Sequence, residues 1–322
     1  DLPERKIRLD DRGRVRDVIT PPRLDAHRLI EEFMIAANVA AAETLEAKRT
    51  PLVYRVHDAP SKEKLAALGE FLQTIDLKLP KAGVLKPSHF NRILADTRGR
   101  PVADLVSEVV LRSQAQAEYS PNNFGHFGLN LRRYAHFTSP IRRYADLIVH
   151  RALIRALDLG ADGLPDAELP LLEEVANHIS MTERRAMAAE RETADRLIAA
   201  YLADRVGAQF QARVSGVVRG GLFVRLSETG ADGFVPASTI GGEYFYHDEA
   251  HQALVGEDSG EAYQLGDIVE VRLVEAIPSA GALRFEMLSQ GRQIRTKARR
   301  AQRQSFRGGP QGKRHTRQGR RR

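Results

Sequence analysis

Ala208-Gln209-Phe210-Gln211-Ala212-Arg213-Val214-Ser215-Gly216-Val217-Val218-Arg219-Gly220-Gly221-Leu222-Phe223-Val224-Arg225-Leu226 is the stretch on which the fold of this chain turns. Phe210, Ala212 and Val214 alternate with polar neighbours, and Leu222, Val224 and Leu226 resume the pattern after a break. A period of two belongs to a strand with one buried face, because successive side chains leave a strand on opposite sides. Gly216 and Gly220-Gly221 interrupt the alternation where the chain must bend or turn. Further short strands are predicted over 232–236, 267–276 and 282–287. Short strands separated by glycine turns across residues 206–290 read as a small five-stranded β-barrel.

Ahead of Gly207 the period changes. Residues 5–19 form short alternating segments around Asp11-Arg12-Gly13, a β-hairpin signature, and Pro21-Pro22 ends them. Over 24–48, Leu29, Phe33, Ala36, Ala37 and Ala40 recur at helical spacing with no internal Gly or Pro. A β-type run at 52–56 stops at Asp58-Ala59-Pro60, and Ser61 is a good N-cap for a helix over 62–75, with Lys64 in place of the acid that a capping box requires. Helices are predicted near 88–96 and 101–116, then a structured loop through Tyr119–Gly128, rich in turn formers and aromatics. A helix is predicted from Ser139-Pro140 to about Leu157, and a long one over 168–205 after a Gly/Asp/Pro-rich linker. The class is α+β: a helix-rich part over 1–205, the barrel over 206–290 and a tail over 291–322.

Composition limits the functions open to the chain. With 322 residues, about two domains fit. No apolar run approaches the ~18 residues of a membrane span, so no membrane association is expected. The absence of cysteine excludes a disulfide scaffold, a thiolate metal site and a Cys nucleophile, and fits a reducing cytoplasm. Net charge is +7, yet the basicity is local. Residues 291–322 carry 13 Lys and Arg and no acid, whereas 206–290 carry 5 basic against 12 acidic residues. The tail cannot bury enough apolar surface to order itself, so disorder is predicted there. A nucleic-acid site elsewhere must rest on local geometry. The opening Asp-Leu-Pro-Glu lacks an initiator Met and an apolar leader, and reads as the cut start of a longer protein.

The chemistry concentrates in His136-Phe137-Thr138-Ser139-Pro140-Ile141-Arg142-Arg143-Tyr144-Ala145-Asp146. With Ser139 as N-cap and Pro140 at the first helical position, Arg142 and Arg143 would project from a first turn whose free N–H groups favour an anion. Arg offers a planar fork of donors that matches two phosphate oxygens, so the constellation reads as a phosphate clamp. The competing reading pairs these arginines with Asp146 or a Glu as ordinary surface residues. Glu31-Glu32 could orient Arg142 or hold a base or a metal-bound water, or could simply form a solvated face near Arg28 and Arg55. His27, His57, His126 and His136 lack metal-ligand spacing, and Asp10-Asp11 reads as turn chemistry. In the barrel, Phe223, Phe234, Tyr244 and Tyr246 could stack on bases beside Arg225, at ~1–3 kcal/mol per base. The alternative is that Phe223 and Phe245 fill the core.

The motifs Gly125-His126-Phe127-Gly128-Leu129, Tyr134-Ala135-His136-Phe137-Thr138-Ser139-Pro140-Ile141-Arg142-Arg143-Tyr144 and Leu147-Ile148-Val149-His150-Arg151 closely resemble the RNase II/RNB family of processive 3′→5′ exoribonucleases, in its ribonuclease R branch. Leu29–Asn38 resembles a second stretch of the same domain, and 208–288 resembles the S1 RNA-binding domain, an OB-type barrel. The resemblance implies hydrolysis of single-stranded or structured RNA from its 3′ end to nucleoside 5′-monophosphates with Mg²⁺. It implies that Arg142 contacts the scissile phosphate, that Glu32 (with Glu31 as close alternative) is a functional carboxylate, and that Arg143, Ser139, His136 and Tyr134 line the RNA path.

One departure is large: nothing here matches the aspartate cluster that holds the family's Mg²⁺ ions. Two-metal phosphoryl hydrolysis needs carboxylates that fix the ions about 3.5–4 Å apart. The chain therefore reads as the C-terminal part of an RNB domain plus S1 domain and tail, a monomer with little nuclease activity alone. Without an upstream half, residues 1–205 should expose apolar surface. The alternative is a non-catalytic RNA-binding module acting through the barrel and tail. A further reading has the tail meet the ribosome.

Overall fold

The computed structural model describes residues 5–80, 85–100, 102–249 and 251–293. It opens with a hairpin, β1 (Lys6–Leu9) and β2 (Val15–Ile19), whose turn is fixed by Asp10 accepting from the backbone N–H of Arg12 and Arg14, each at 2.9 Å. Asp10 is thus a turn residue. Helix α1 (Asp25–Ala47) leads into the short strand β3 (Tyr54–Val56). Then come α2 (Lys62–Thr74), α3 (Pro87–Thr97) and α4 (Ala103–Ser113), with the Ser61 side chain accepting from Lys64 N–H at the start of α2. Strand β4 (Glu118–Ser120) pairs antiparallel with β3, followed by α5 (Tyr144–Leu157) and α6 (Leu172–Ala203).

Two cores organise this helical part. Leu45, Val53, Tyr119, Ile148, Val149 and Leu172 bring together α1, α5, α6 and the β3–β4 pair. Leu68, Phe71, Leu72, Phe90, Ile93 and Val106 weld α2, α3 and α4 into a second bundle. The N-terminal half of α1 behaves differently: Leu29, Ile30 and Phe33 stand exposed, as do Ile141, Tyr144 and Leu147 beyond it.

Strands β5 (Gln209–Val218), β6 (Gly221–Leu226) and β7 (Asp232–Pro236) begin the barrel, as the alternation predicts. The sequence reading omits the next three strands, β8 (Phe245–Asp248), β9 (Ala253–Gly256) and β10 (Glu261–Gln264). Strands β11 (Ile268–Ile277) and β12 (Ala282–Met287) complete a closed five-stranded barrel in the order β11-β12-β7-β6-β5. All its pairings are antiparallel except β12 with β7, where Arg284 lies beside Phe234. The interior holds Phe210, Val214, Leu222, Val224, Val271 and Phe285. A Cβ on Gly233 would overlap the Phe285 ring, so glycine is required for that ring to fill the barrel.

A correction concerns the tail expected from residue 291. Arg292–Gln293 form a short strand, β13, paired with β10, and Arg292 also reaches the Asp267 carboxylate. Residues 294–322, the rest of that tail, lie outside the described residues. Helix α6 binds the two parts together, because Ile198, Ala199 and Leu202 at its C-terminal end belong to the barrel core. On another side Arg112 of α4 donates to Ser215 O at 3.2 Å, and Glu108 meets Arg225 at 3.3 Å.

Candidate functional site

The segment 134–143 is where the sequence reading needs its main correction. Ser139-Pro140 does not start the helix: α5 begins at Tyr144, with Arg143 in extended backbone as its N-cap. Ser139 O instead accepts from the N–H groups of Arg142 and Arg143 in a tight turn, at 3.3 and 3.2 Å. The reason lies three residues into α5. The wholly buried Asp146 carboxylate accepts from Ser139 N–H at 2.7 Å and from Arg143 Nη2 at 2.8 Å, with Arg143 Nε also 2.8 Å away. A buried carboxylate must be paired, and Ser139 and Arg143 are what it finds.

The two arginines therefore part company. Arg143 is tied to Asp146, as the competing reading has it, but half-buried against a wholly buried carboxylate and not as a surface pair. Arg142 is exposed and its guanidinium makes no hydrogen bond or ion pair with the described residues. An Arg stays charged at any relevant pH, so Arg142 presents a free fork of donors on a fixed turn.

The other end of the turn is held from α1. Asn38 is buried, and its Oδ1 accepts from the N–H groups of Phe137 at 2.9 Å and Thr138 at 3.3 Å. Its Nδ2 donates to Tyr134 Oη at 3.1 Å. Phe137 O meets His150 Nε2 at 2.8 Å while the two rings stack with centroids 4.3 Å apart. Neither Asn38 nor His150 was predicted as a site residue, although both lie within the motif stretches.

Tyr134 and His136, expected to line a ligand path, belong to an aromatic cluster in which Tyr134 is buried and His136 half-buried. Tyr134 is buried with its ring edge-on to His126 and His136, at 5.3 and 5.8 Å. His136 Nδ1 lies 2.9 Å from the Tyr119 hydroxyl. Burial, then the nearby Arg143 and Arg55, lower His136 to about 3. Burial, then His57 and Arg55, lower His126 to about 4. Both rings are neutral at pH 7, and burial pushes Tyr119 up to about 12, so its hydroxyl keeps its proton. Arg55 completes the wall, stacked on Tyr119 at 4.6 Å and bound to both Glu183 oxygens at 2.8 and 3.1 Å.

Glu31 and Glu32 both stand exposed on α1. Glu31 pairs with Arg23, whereas Glu32 makes no hydrogen bond or ion pair with the described residues. Seven residues separate Glu31 from Asn38, so the two share a stripe to within ~20° on a helix of 3.6 residues per turn. Glu31 therefore lies on the side of α1 that faces the loop. Among the described residues, no group of three or more His, Asp and Glu side chains could hold a metal ion.

On the barrel, Phe223 and Phe234 sit opposite each other on β6 and β7, ring centroids 5.2 Å apart. Phe223 is 45% exposed, and both rings lie on the outer face, not in the core. A Cβ on Gly216 would touch the Phe223 ring at 3.3 Å, so the glycine that breaks the sequence alternation also seats this ring. Tyr244 and Tyr246 are exposed while Phe245 between them is core. Arg225 is engaged by Asp232 at 2.8 Å and by Glu108, which leaves it less free than the sequence suggests. Arg284, beside Phe234, is exposed and makes no hydrogen bond or ion pair with the described residues. Strand alternation over 282–287 was the signal that could have found it.

Comparison with known proteins matches this two-part layout. The RNB domain family model matches residues 1–158, and the S1 RNA binding domain model matches 203–287. The chain is similar to ribonuclease R of Aquifex aeolicus, 42% identical over 288 residues, covering 89% of this chain and 41% of that protein. It is similar to ribonuclease R of Escherichia coli, 37% identical over 313 residues, covering 95% and 38%. Among solved structures it superposes on Mycoplasma genitalium RNase R in its apo form, with TM-score 0.84 and 29% identity, covering 89% of this chain and 46% of that one. The same enzyme in complex with ribose methylated single-stranded RNA gives a TM-score of 0.83, and with double-stranded RNA 0.70. The chain spans about two fifths of the length of the A. aeolicus and E. coli relatives.

Proposed function

From the premise that this chain belongs to the RNB family, with an S1 RNA binding domain following its RNB part, we propose that it is the RNA-gripping portion of a ribonuclease R. In that reading the longer protein hydrolyses RNA from the 3′ end to nucleoside 5′-monophosphates. Arg142 holds the backbone phosphate at the cut, and a carboxylate of the Glu31-Glu32 pair acts beside it: Glu32, unpaired among the described residues, in the first instance, with Glu31, which lies on the loop-facing side of α1 but pairs with Arg23, as the alternative. The observation that carries the reading is the contrast between two adjacent arginines. Arg143 is consumed by a buried carboxylate, and Arg142 is left unpaired among the described residues, on a turn anchored from both sides. A guanidinium carried on an anchored turn and already free of partners binds a phosphate without first breaking an internal ion pair.

Ser139 lends a side-chain hydroxyl beside that turn. Tyr134, His136 and Arg143 serve as the wall behind it and not as direct RNA contacts. Phe223 and Phe234, with Arg284 beside Phe234, take incoming bases by stacking, the exposed Tyr244 and Tyr246 offer further rings, and Arg225 supports that face through Asp232 and Glu108. Single-stranded 3′ ends and structured RNA are the proposed ligands. The M. genitalium relative's complexes with single- and double-stranded RNA support both.

RNB-family exoribonucleases generally depend on a divalent metal, here proposed as Mg²⁺. The described residues do not fit it: no cluster of three or more ligating side chains exists among them. The portion alone is accordingly proposed to bind RNA and to cut it little. Action as a cytoplasmic monomer, with the basic tail reaching ribosomal RNA, completes the proposal. Among the described residues no helix is long and apolar enough to cross a membrane.

The test uses a 5′-labelled oligoribonucleotide of about twenty nucleotides. The chain should bind it, and Arg142→Ala should weaken binding about tenfold or more, as expected for a charge-assisted contact. Incubation with Mg²⁺ should leave the label nearly full-length. Rapid shortening by this chain alone would defeat the portion reading. Unchanged affinity of Arg142→Ala would defeat the phosphate role. A non-catalytic RNA-binding module is favoured instead if the protein encoded by the complete gene also leaves the RNA intact.

A further inference from the structure

The backbone N–H groups of Phe137, Thr138 and Ser139 are three consecutive donors in irregular chain, and none of them joins a helix or strand ladder. Each is taken by a buried side chain. Asn38 on α1 accepts the first two, and Asp146 on α5 accepts the third at 2.7 Å. The anchors are only 3% and 0% exposed, so neither can exchange these bonds for water. Asn38 has a second task through Tyr134, and Asp146 through Arg143. Together they clamp the turn from two helices, one of which also carries Glu31 and Glu32.

We propose that Asn38 and Asp146 are positioning residues: they hold the 137–143 turn in the one shape that presents Arg142 to a phosphate, and Asn38 fixes that turn relative to the α1 carboxylates. Neither touches RNA. The inference rests on the proposal that Arg142 grips the RNA backbone. It adds where that grip gets its rigidity. Arg side chains are long and flexible, so a fixed attachment point is what converts a free guanidinium into an oriented one. Asn38 suits its post because an amide oxygen accepts two N–H bonds while the amide nitrogen donates to Tyr134, all without burying a charge. Asp146 needs its charge, since Arg143 balances it.

A double-mutant cycle on the 322-residue chain tests this, with a fluorescein-labelled oligoribonucleotide as probe and anisotropy as readout. Arg142→Ala is expected to weaken binding about tenfold or more in the parent background. In the Asn38→Ala background it should change affinity less than about threefold, because a guanidinium on a loosened turn has little left to lose. Asn38→Asp, which keeps an acceptor for Phe137 and Thr138, should restore most of the Arg142 effect, something a general loss of stability would not do. Asp146→Asn keeps an acceptor for Ser139 but releases Arg143, and should leave an intermediate Arg142 effect. If Asn38→Ala does not fold, Asn38→Asp and Asp146→Asn carry the test through amide exchange. The Phe137, Thr138 and Ser139 amides should be slow in the parent and in Asn38→Asp, and the Ser139 amide faster in Asp146→Asn. An Arg142→Ala effect of equal size in the parent and Asn38→Ala backgrounds overturns the positioning role while leaving the phosphate contact standing. No Arg142→Ala effect in the parent removes the contact itself, and the positioning role with it.

Discussion

Lowering the pH should loosen the helical part through His136 before the carboxylates are titrated. This ring is held neutral by burial first and then by Arg143 and Arg55, so its folded-state value of about 3 lies well below the ordinary 6.5. Between those values the unfolded chain binds a proton that the folded chain refuses, and stability then falls as pH falls. The contribution is complete above pH 6.5 and is lost progressively down to about pH 3. At 1.36 kcal/mol per pH unit, this ring alone costs about 2 kcal/mol by pH 5 and about 3 kcal/mol by pH 4. His126, lowered to about 4 by burial first, adds in the same direction. Against a typical net stability of ~5–15 kcal/mol, that is a large fraction. The assay is urea unfolding at half-unit pH steps from 7 to 4, for the parent and for His136→Gln. Gln cannot take up the proton, so its pH slope should be shallower by up to about one proton. Equal slopes would refute the reasoning, as would an NMR titration of His136 in the folded chain with a midpoint near 6.5.

Phe223→Ala should weaken binding of a single-stranded oligoribonucleotide by about 1–3 kcal/mol without altering the salt dependence, since a stacked base brings no phosphate neutralisation. A salt titration by anisotropy checks both, and a changed slope would mean that the ring acts through charge. Gly233→Ala should cost the barrel at least about 1–3 kcal/mol by overpacking, because its Cβ would overlap the Phe285 ring. Thermal unfolding followed at the barrel's tyrosines reads the loss.

The barrel was legible because its strands are half-buried and its alternation survives in sequence. Strands β8, β9 and β10 were not, for an equally physical reason. Residues 253–256 of β9 are buried along their whole length, so they show no alternation at all. Tyr244-Phe245-Tyr246 reads as a cluster of aromatics until the register shows the middle ring in the core and its neighbours outside. Helix α1 matches its predicted span over nearly its whole length. The wheel could not say which of Glu31 and Glu32 faces the loop, because nothing local marks Asn38 as the residue that touches it.

The misplaced helix start shows how a local rule loses to a buried charge. Ser139-Pro140 satisfies the capping and first-turn preferences as well as any pair in the chain. Those preferences are worth about 1 kcal/mol, whereas a carboxylate buried without partners costs several. Asp146 points inward because Ala145, Ile148 and Val149 around it are core. Once there it takes Ser139 N–H and the Arg143 guanidinium, and a helix beginning at Ser139 could not deliver both. The turn that results separates Arg142 from Arg143 more sharply than a helical first turn would have done. In a helix, neighbours at i and i+1 diverge by about 100° and both would reach solvent. Here one is a strut and the other is free. The sequence did hold the clue, in the spacing of three between Arg143 and Asp146, but only burial of the carboxylate gives that spacing priority over the cap.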